Sequence, residues 1–167
     1  LMGIGFSIPG NVFWDPLGTW AARLPSALST IFLMTVIGDT MMRYPQEENL
    51  FNRRTALLTT LTFALSPLVI IWGRVAVSDA LLCSTLGISL LLKWRRYANP
   101  EGETWWLSWI FLSLAVLTKG PVALVLSLIT MFFFASFQND FSRIFKKLNV
   151  FPGILIVFIV SAPWYLI

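Results

Sequence analysis

Four ionic side chains stand at the edges of long apolar runs: Arg23, Arg74, Asp79 and Lys119. Three cations and a carboxylate are groups that bind and polarise a phosphate ester. A guanidinium grips phosphate through two parallel N–H donors, whereas an ammonium acts as a point charge. Cations fixed beside a leaving phosphate also stabilise the negative charge that grows as a group is transferred away from it. Other chemistries are closed to this stretch. It has no His, hence no imidazole base, His proton relay or His metal ligand. Its one Cys, Cys83, rules out a disulfide framework and reads as packing in an apolar helix. No Walker loop, dinucleotide fingerprint or zinc-ligand spacing is present.

Each charge also has a plainer reading. Arg23 can anchor on lipid headgroups, and Arg74 can snorkel from its helix end. Asp79 suits the cap or first turn of a helix, and Lys119 suits the carboxyl-terminal dipole of the helix that Gly120 stops. Asp39 reads as a neutralised or snorkelling residue. On the residues alone three functions stay open: a transfer enzyme, a transporter or flippase for an anionic lipid or solute, and a structural subunit whose charges are anchors. A transporter places polar groups near the bilayer midplane and often breaks its helices there. Here the middles of the apolar runs are nearly free of charge, which favours surface chemistry.

The elements that must position these residues follow from composition. Of 167 residues, 57% are hydrophobic and 12% charged, with a mean hydropathy of +0.77. Soluble domains carry about 25% charged residues. A soluble domain and a disordered chain are both excluded, and an all-α, polytopic transmembrane helix bundle is expected. A spanning helix takes about 20 apolar residues. Runs of that kind lie at residues 24–42, 55–72, 75–92, 104–118, 121–137 and 150–167, giving six expected spans. Polar connections of about a dozen residues at 43–54, 93–103 and 138–149 alternate with turns of a few residues. The long connections hold nine of the twelve basic residues: Arg43, Arg53, Arg54, Lys93, Arg95, Arg96, Arg143, Lys146 and Lys147. The positive-inside bias puts that side in the cytoplasm and leaves Arg23, Arg74, Asp79 and Lys119 together on the outer face.

Residues 1–23 form an expected extracytoplasmic or interfacial segment. Gly3, Gly5, Pro9, Gly10, Pro16 and Gly18 break it too often to span, and a short helix is expected near Gly18 to Arg23. Pro25 suits the first turn of the following helix. Trp105, Trp106 and Trp109 on the inner side, and Trp14, Trp20, Trp72 and Trp164 on the outer, read as the interfacial aromatic belt. With residues 1–22 outside, a protein that starts in the cytoplasm has an odd number of spans before Leu1. The stretch thus reads as part of a longer membrane protein. No internal repeat is evident.

Three outer-face segments carry a resemblance. AARLPSAL at residues 21–28 resembles the segment that closes the first outer loop in bacterial lipid-linked-sugar-dependent glycosyltransferases. SPLVIIWGRVAVSD at 66–79 resembles that family's second outer turn, and LTKGP at 117–121 its third. Ala162–Pro163–Trp164–Tyr165 is a weaker fourth match. The family includes the aminoarabinose transferase that acts on lipid A and relatives of the protein O-mannosyltransferases.

The resemblance implies a multispanning C-type glycosyltransferase of the bacterial cytoplasmic membrane, working on its outer side in cell-envelope glycosylation such as lipid A modification. Its partners would be a polyprenyl-phosphate sugar donor, a lipid or protein acceptor and membrane lipids, with no nucleic acid. It implies Arg74 and Lys119 as cations for the donor phosphate. Asp79 would be the catalytic-site carboxylate that orients the acceptor or a divalent metal ion, the one cofactor left open. Arg23 would position the first outer loop. The family's catalytic acid lies upstream of AARLPSAL, at a place Asp15 does not match, so this stretch alone would lack it and be inactive.

Overall fold

A computed structural model of the chain describes residues 19–44, 52–74, 78–99, 102–138 and 141–166. Residues 1–18, with Trp14 and Asp15, lie outside the described residues, as do Val75 to Val77. Among the described residues all regular structure is helical. Those residues form eight helices: α1 (Thr19–Arg43), α2 (Asn52–Ala64), α3 (Pro67–Arg74), α4 (Ser78–Ala98), α5 (Trp105–Lys119), α6 (Val122–Gln138), α7 (Phe141–Lys147) and α8 (Val150–Leu166). The chain divides into two units, Leu1–Ser84 and Thr85–Ile167.

In the first unit α1 packs against α2 and α3. Its buried seam is Ser26, Thr30, Leu33 and Thr40, a spacing that keeps one stripe of the helix facing its partners. The hydroxyls can be buried because they bond back to their own helix: Thr30 Oγ1 donates to the Ser26 carbonyl at 2.8 Å. Gly38 lets α2 approach closely, since a Cβ there would lie 3.1 Å from Thr60 Oγ1.

Two expectations need correction here. The helix expected from residue 24 begins at Thr19 and carries Pro25 in its interior, not its first turn. Pro25 forgoes the bond to the Ala21 carbonyl, and the long apolar helix continues regardless. The single run expected at 55–72 is two helices. Pro67 has no N–H and pushes Ser66 out of helical geometry, so α2 closes at Ala64. Ser66 then accepts from Ile70 N at 3.1 Å and α3 restarts with Pro67 at its first position.

In the second unit α5 packs against α8 and α6, and α6 touches α7. The core centres on Trp109, which is 1% exposed. Its indole N–H donates to the Leu148 carbonyl at 3.0 Å, and Gly153 of α8 lies directly on the ring. The buried face of α6 is Ala123, Ser127, Met131 and Ala135, one residue per turn. Its exposed face holds Val122, Val125, Ile129, Phe132 and Phe133. α8 likewise turns Phe151, Leu155, Phe158 and Ile159 outward. Small and hydroxylated residues inside, with bulky apolar ones outside, is the inverse of a water-soluble bundle and the pattern by which helices pack in lipid.

Among the described residues one helix, Arg23–Arg43, is long and apolar enough by itself to cross a membrane. Trp105–Lys119, Val122–Gln138 and Val150–Trp164 are apolar but shorter. At 15 to 17 residues, α5, α6 and α8 rise about 22 to 26 Å against a hydrocarbon thickness of about 30 Å.

Candidate functional site

Each expected site residue sits at or near a helix end. Arg23 is in the second turn of α1 and exposed. Arg74 is the last residue of α3, and its side chain lies outside the described residues. Asp79 is in the first turn of α4, where a carboxylate meets the positive end of the helix dipole, and it is half-buried. Lys119 is the last residue of α5, exposed, and Gly120 ends that helix with a φ of 81°. A side chain would be strained at that angle, so glycine makes the abrupt turn.

In the first unit the register relates two of these ends. From the contact of Gly38 with Thr60, Arg23 lies back along α1 by about 22 Å of helix rise. Arg74 lies forward past the break at Leu65–Ser66, at the far end of α3. With α3 packed on α1, the helix ends carrying Arg23 and Arg74 fall at the same end of this hairpin. Asp79 follows five residues after Arg74 in the chain. Lys119 belongs to the second unit.

The turn that carries Lys119 is flanked by two apolar cavities in the second unit. One, of about 510 Å³, is lined by Leu117, Val160, Pro163 and Trp164. The other, of about 380 Å³, is lined by Val116, Pro121, Leu124 and Ile154 with neighbours on α8. A cation at the end of a helix beside apolar clefts suits a molecule with a charged head and a hydrocarbon tail. Among the described residues no three of His, Cys, Asp and Glu come together to hold a metal ion.

Sequence reasoning missed the polar centre of the second unit. Lys93, expected in a polar connection, is inside α4 and 3% exposed. Its ammonium donates to Ser127 Oγ at 2.7 Å and lies 4.4 Å from the centroid of the Trp109 ring. Ser89, one turn earlier, donates to the Ser108 carbonyl at 2.7 Å. Trp109 therefore does not belong to the interfacial belt: a carbonyl for its N–H and a cation for its face hold it inside. The spacing of Ser89 and Lys93, four residues apart on one helix face, was the available signal. Arg95 is also buried and faces Glu103 at 3.9 Å. Asp39 is ion-paired with Arg43 Nε at 2.8 Å, not neutralised. Cys83 is half-buried.

Residues 11–167 match the family described as dolichyl-phosphate-mannose-protein mannosyltransferase. The chain belongs to that family, whose members are integral membrane proteins. Two proteins of Aquifex aeolicus (strain VF5), both described as uncharacterized, are similar to it. One is 32% identical over 115 residues, 69% of this chain and 23% of the relative. The other is 31% identical over 151 residues, 89% of this chain and 31% of the relative. The chain thus spans a third or less of the relatives' length. No solved structure matches it.

Proposed function

We propose that the protein containing this chain is an integral membrane glycosyltransferase. It moves a sugar from a polyprenyl-phosphate carrier to a lipid or protein acceptor on the extracytoplasmic side of the bacterial inner membrane. The helices make six crossings, with the basic connections in the cytoplasm. In the reaction the bond between the sugar's anomeric carbon and the phosphate oxygen breaks, and a bond to the acceptor oxygen forms. The acceptor's proton goes to a carboxylate upstream of this chain acting as general base. The phosphate departs with the carrier lipid, and Arg74 and Lys119 stabilise the charge it gains. Asp79 orients the acceptor, and Arg23 positions the loop before α1.

The observation that carries this reading is the placement of Lys119: an exposed cation at a glycine-terminated helix end, flanked by clefts that accept hydrocarbon. Family membership supports the carrier chemistry. The test is transfer of labelled sugar from a polyprenyl-phosphate donor by the full-length protein in proteoliposomes. Lys119→Ala is expected to cut transfer by about 100-fold, the usual scale for losing one electrostatic contact to a transition state, with insertion unchanged. Lys119→Arg is expected to retain part of it. Equal transfer by wild type and Lys119→Ala removes the phosphate role. Movement of carrier lipid across the bilayer without sugar transfer would assign the protein to the flippases.

A further inference from the structure

A separate apolar pocket opens at the opposite end of the second unit, on the side of the basic connections. It lies between α4 and α6 beneath the short helix α7, with walls from Leu90, Trp94, Tyr97, Met131 and Phe134 and a roof from Ile144. Its volume is about 180 Å³ and its surface is almost wholly carbon. An apolar cavity of about 150 Å³ takes one benzene ring, so this pocket admits the end of one hydrocarbon chain and nothing bulkier.

The short helix over the pocket is basic. α7, with the sequence FSRIFKK, carries Arg143, Lys146 and Lys147 and no acid. Ile144, 0% exposed, pins this helix to the bundle, which holds Lys146 and Lys147 near the mouth; the Arg143 side chain lies outside the described residues. Lys147 donates to the Tyr97 carbonyl at 3.1 Å and lies 4.8 Å from the Tyr97 ring, itself a wall of the pocket. Lys146 is exposed. Lys93 contributes to the wall, and its charge is buried without a carboxylate partner among the described residues. A hydrocarbon slot under a helix that carries two lysines matches one kind of membrane component.

We propose that this pocket is a binding site for an anionic phospholipid of the leaflet facing the basic connections, with one acyl chain under Ile144 and the phosphate on the lysines of α7. Basic residues at this level draw anionic lipids at about fivefold in affinity per charge. The assignment requires only that the helices lie in a bilayer, and it is independent of the donor site at Lys119.

The test uses the full-length protein, delipidated in detergent, with phosphatidylglycerol, phosphatidylcholine of the same chains, and tail-free glycerophosphoglycerol. Retained lipid is read by native mass spectrometry. Phosphatidylglycerol is expected to bind about tenfold more tightly than phosphatidylcholine, and the tail-free headgroup is expected not to bind. Lys146→Gln is expected to weaken phosphatidylglycerol about fivefold and leave phosphatidylcholine unchanged. Thr130→Trp, which grows from an exposed position on the pocket wall, is expected to abolish retention of both. A phosphatidylglycerol with a photoreactive acyl chain, used on the unaltered protein, is expected to label Met131 or Phe134. Equal affinity for the two phospholipids, binding of the headgroup alone, or labelling confined to the outer faces of α6 and α8 would each overturn the assignment.

Discussion

Gly153→Ala is the substitution for which the geometry gives the sharpest expectation. The added methyl would fall inside the van der Waals envelope of the Trp109 ring atoms Cε2, Cδ2 and Nε1. These are rigid ring atoms, not the end of a flexible chain, so the ring or the backbone of α8 must move. The ring is held on its other sides by the Leu148 carbonyl and by Lys93. Overpacking of this kind costs about 1–3 kcal/mol. Shifting the indole also weakens a hydrogen bond of about 1 kcal/mol net and a desolvated cation–π contact of about 1–2 kcal/mol. The sum is a loss of at most about 3–6 kcal/mol, large beside the 5–15 kcal/mol that holds a typical domain folded. The assay is thermal unfolding of the full-length protein in detergent, as a double-mutant cycle with Trp109→Leu. Trp109→Leu alone should destabilise by about 3 kcal/mol through lost volume, and adding Gly153→Ala to it should cost less than about 1 kcal/mol. If Gly153→Ala alone stays within about 0.5 kcal/mol of wild type, or if the two changes add, the packing of α5 on α8 is not as described.

Other substitutions separate structural from functional charges. Lys93→Ala should lower stability by about 2 kcal/mol by stranding Ser127 and Trp109, whereas Lys93→Met, which keeps the stem, should recover more than half in the same unfolding measurement. Asp39→Asn, at an exposed pair one turn from Arg43, should change stability by less than about 0.5 kcal/mol. Pro67→Ala removes the block between α2 and α3 and should raise helicity by circular dichroism while reducing sugar transfer, because it re-aims the helix end that carries Arg74. Asp79→Asn should leave donor binding intact and lower transfer, which a donor-retention assay run beside the transfer assay will separate.

Much of the helix plan is legible in the sequence because apolar runs in lipid are nearly self-announcing. The runs at 104–118, 121–137 and 150–167 differ by a residue or so from α5, α6 and α8. The break at Leu65–Ser66 was marked by Pro67, yet the surrounding apolar residues hid it, since periodicity alone does not register a missing hydrogen bond. α7 was invisible for a different reason: seven residues with three cations look like a polar loop until Ile144 is seen to be buried. At the site, the helix-end placement of Asp79 and Lys119 followed from charge against apolar background. The role of Lys93 did not, because the residues that neutralise its cost, Ser127 and Trp109, lie 34 and 16 positions away in the chain. Tertiary partners of that separation leave no local pattern beyond the four-residue spacing of Ser89 and Lys93.

The proposal rests on Arg74 and Lys119 serving one carrier phosphate on the outer side of the membrane. Its most direct measurement is thiol cross-linking in the full-length protein carrying Arg74→Cys and Lys119→Cys on a background with Cys83 and every other cysteine replaced by Ser, with a short membrane-impermeant bifunctional reagent added from the outer side. The account predicts an intramolecular cross-link that polyprenyl phosphate suppresses. Reaction of either cysteine from the cytoplasmic side only, or two labelled cysteines that never join, would contradict it.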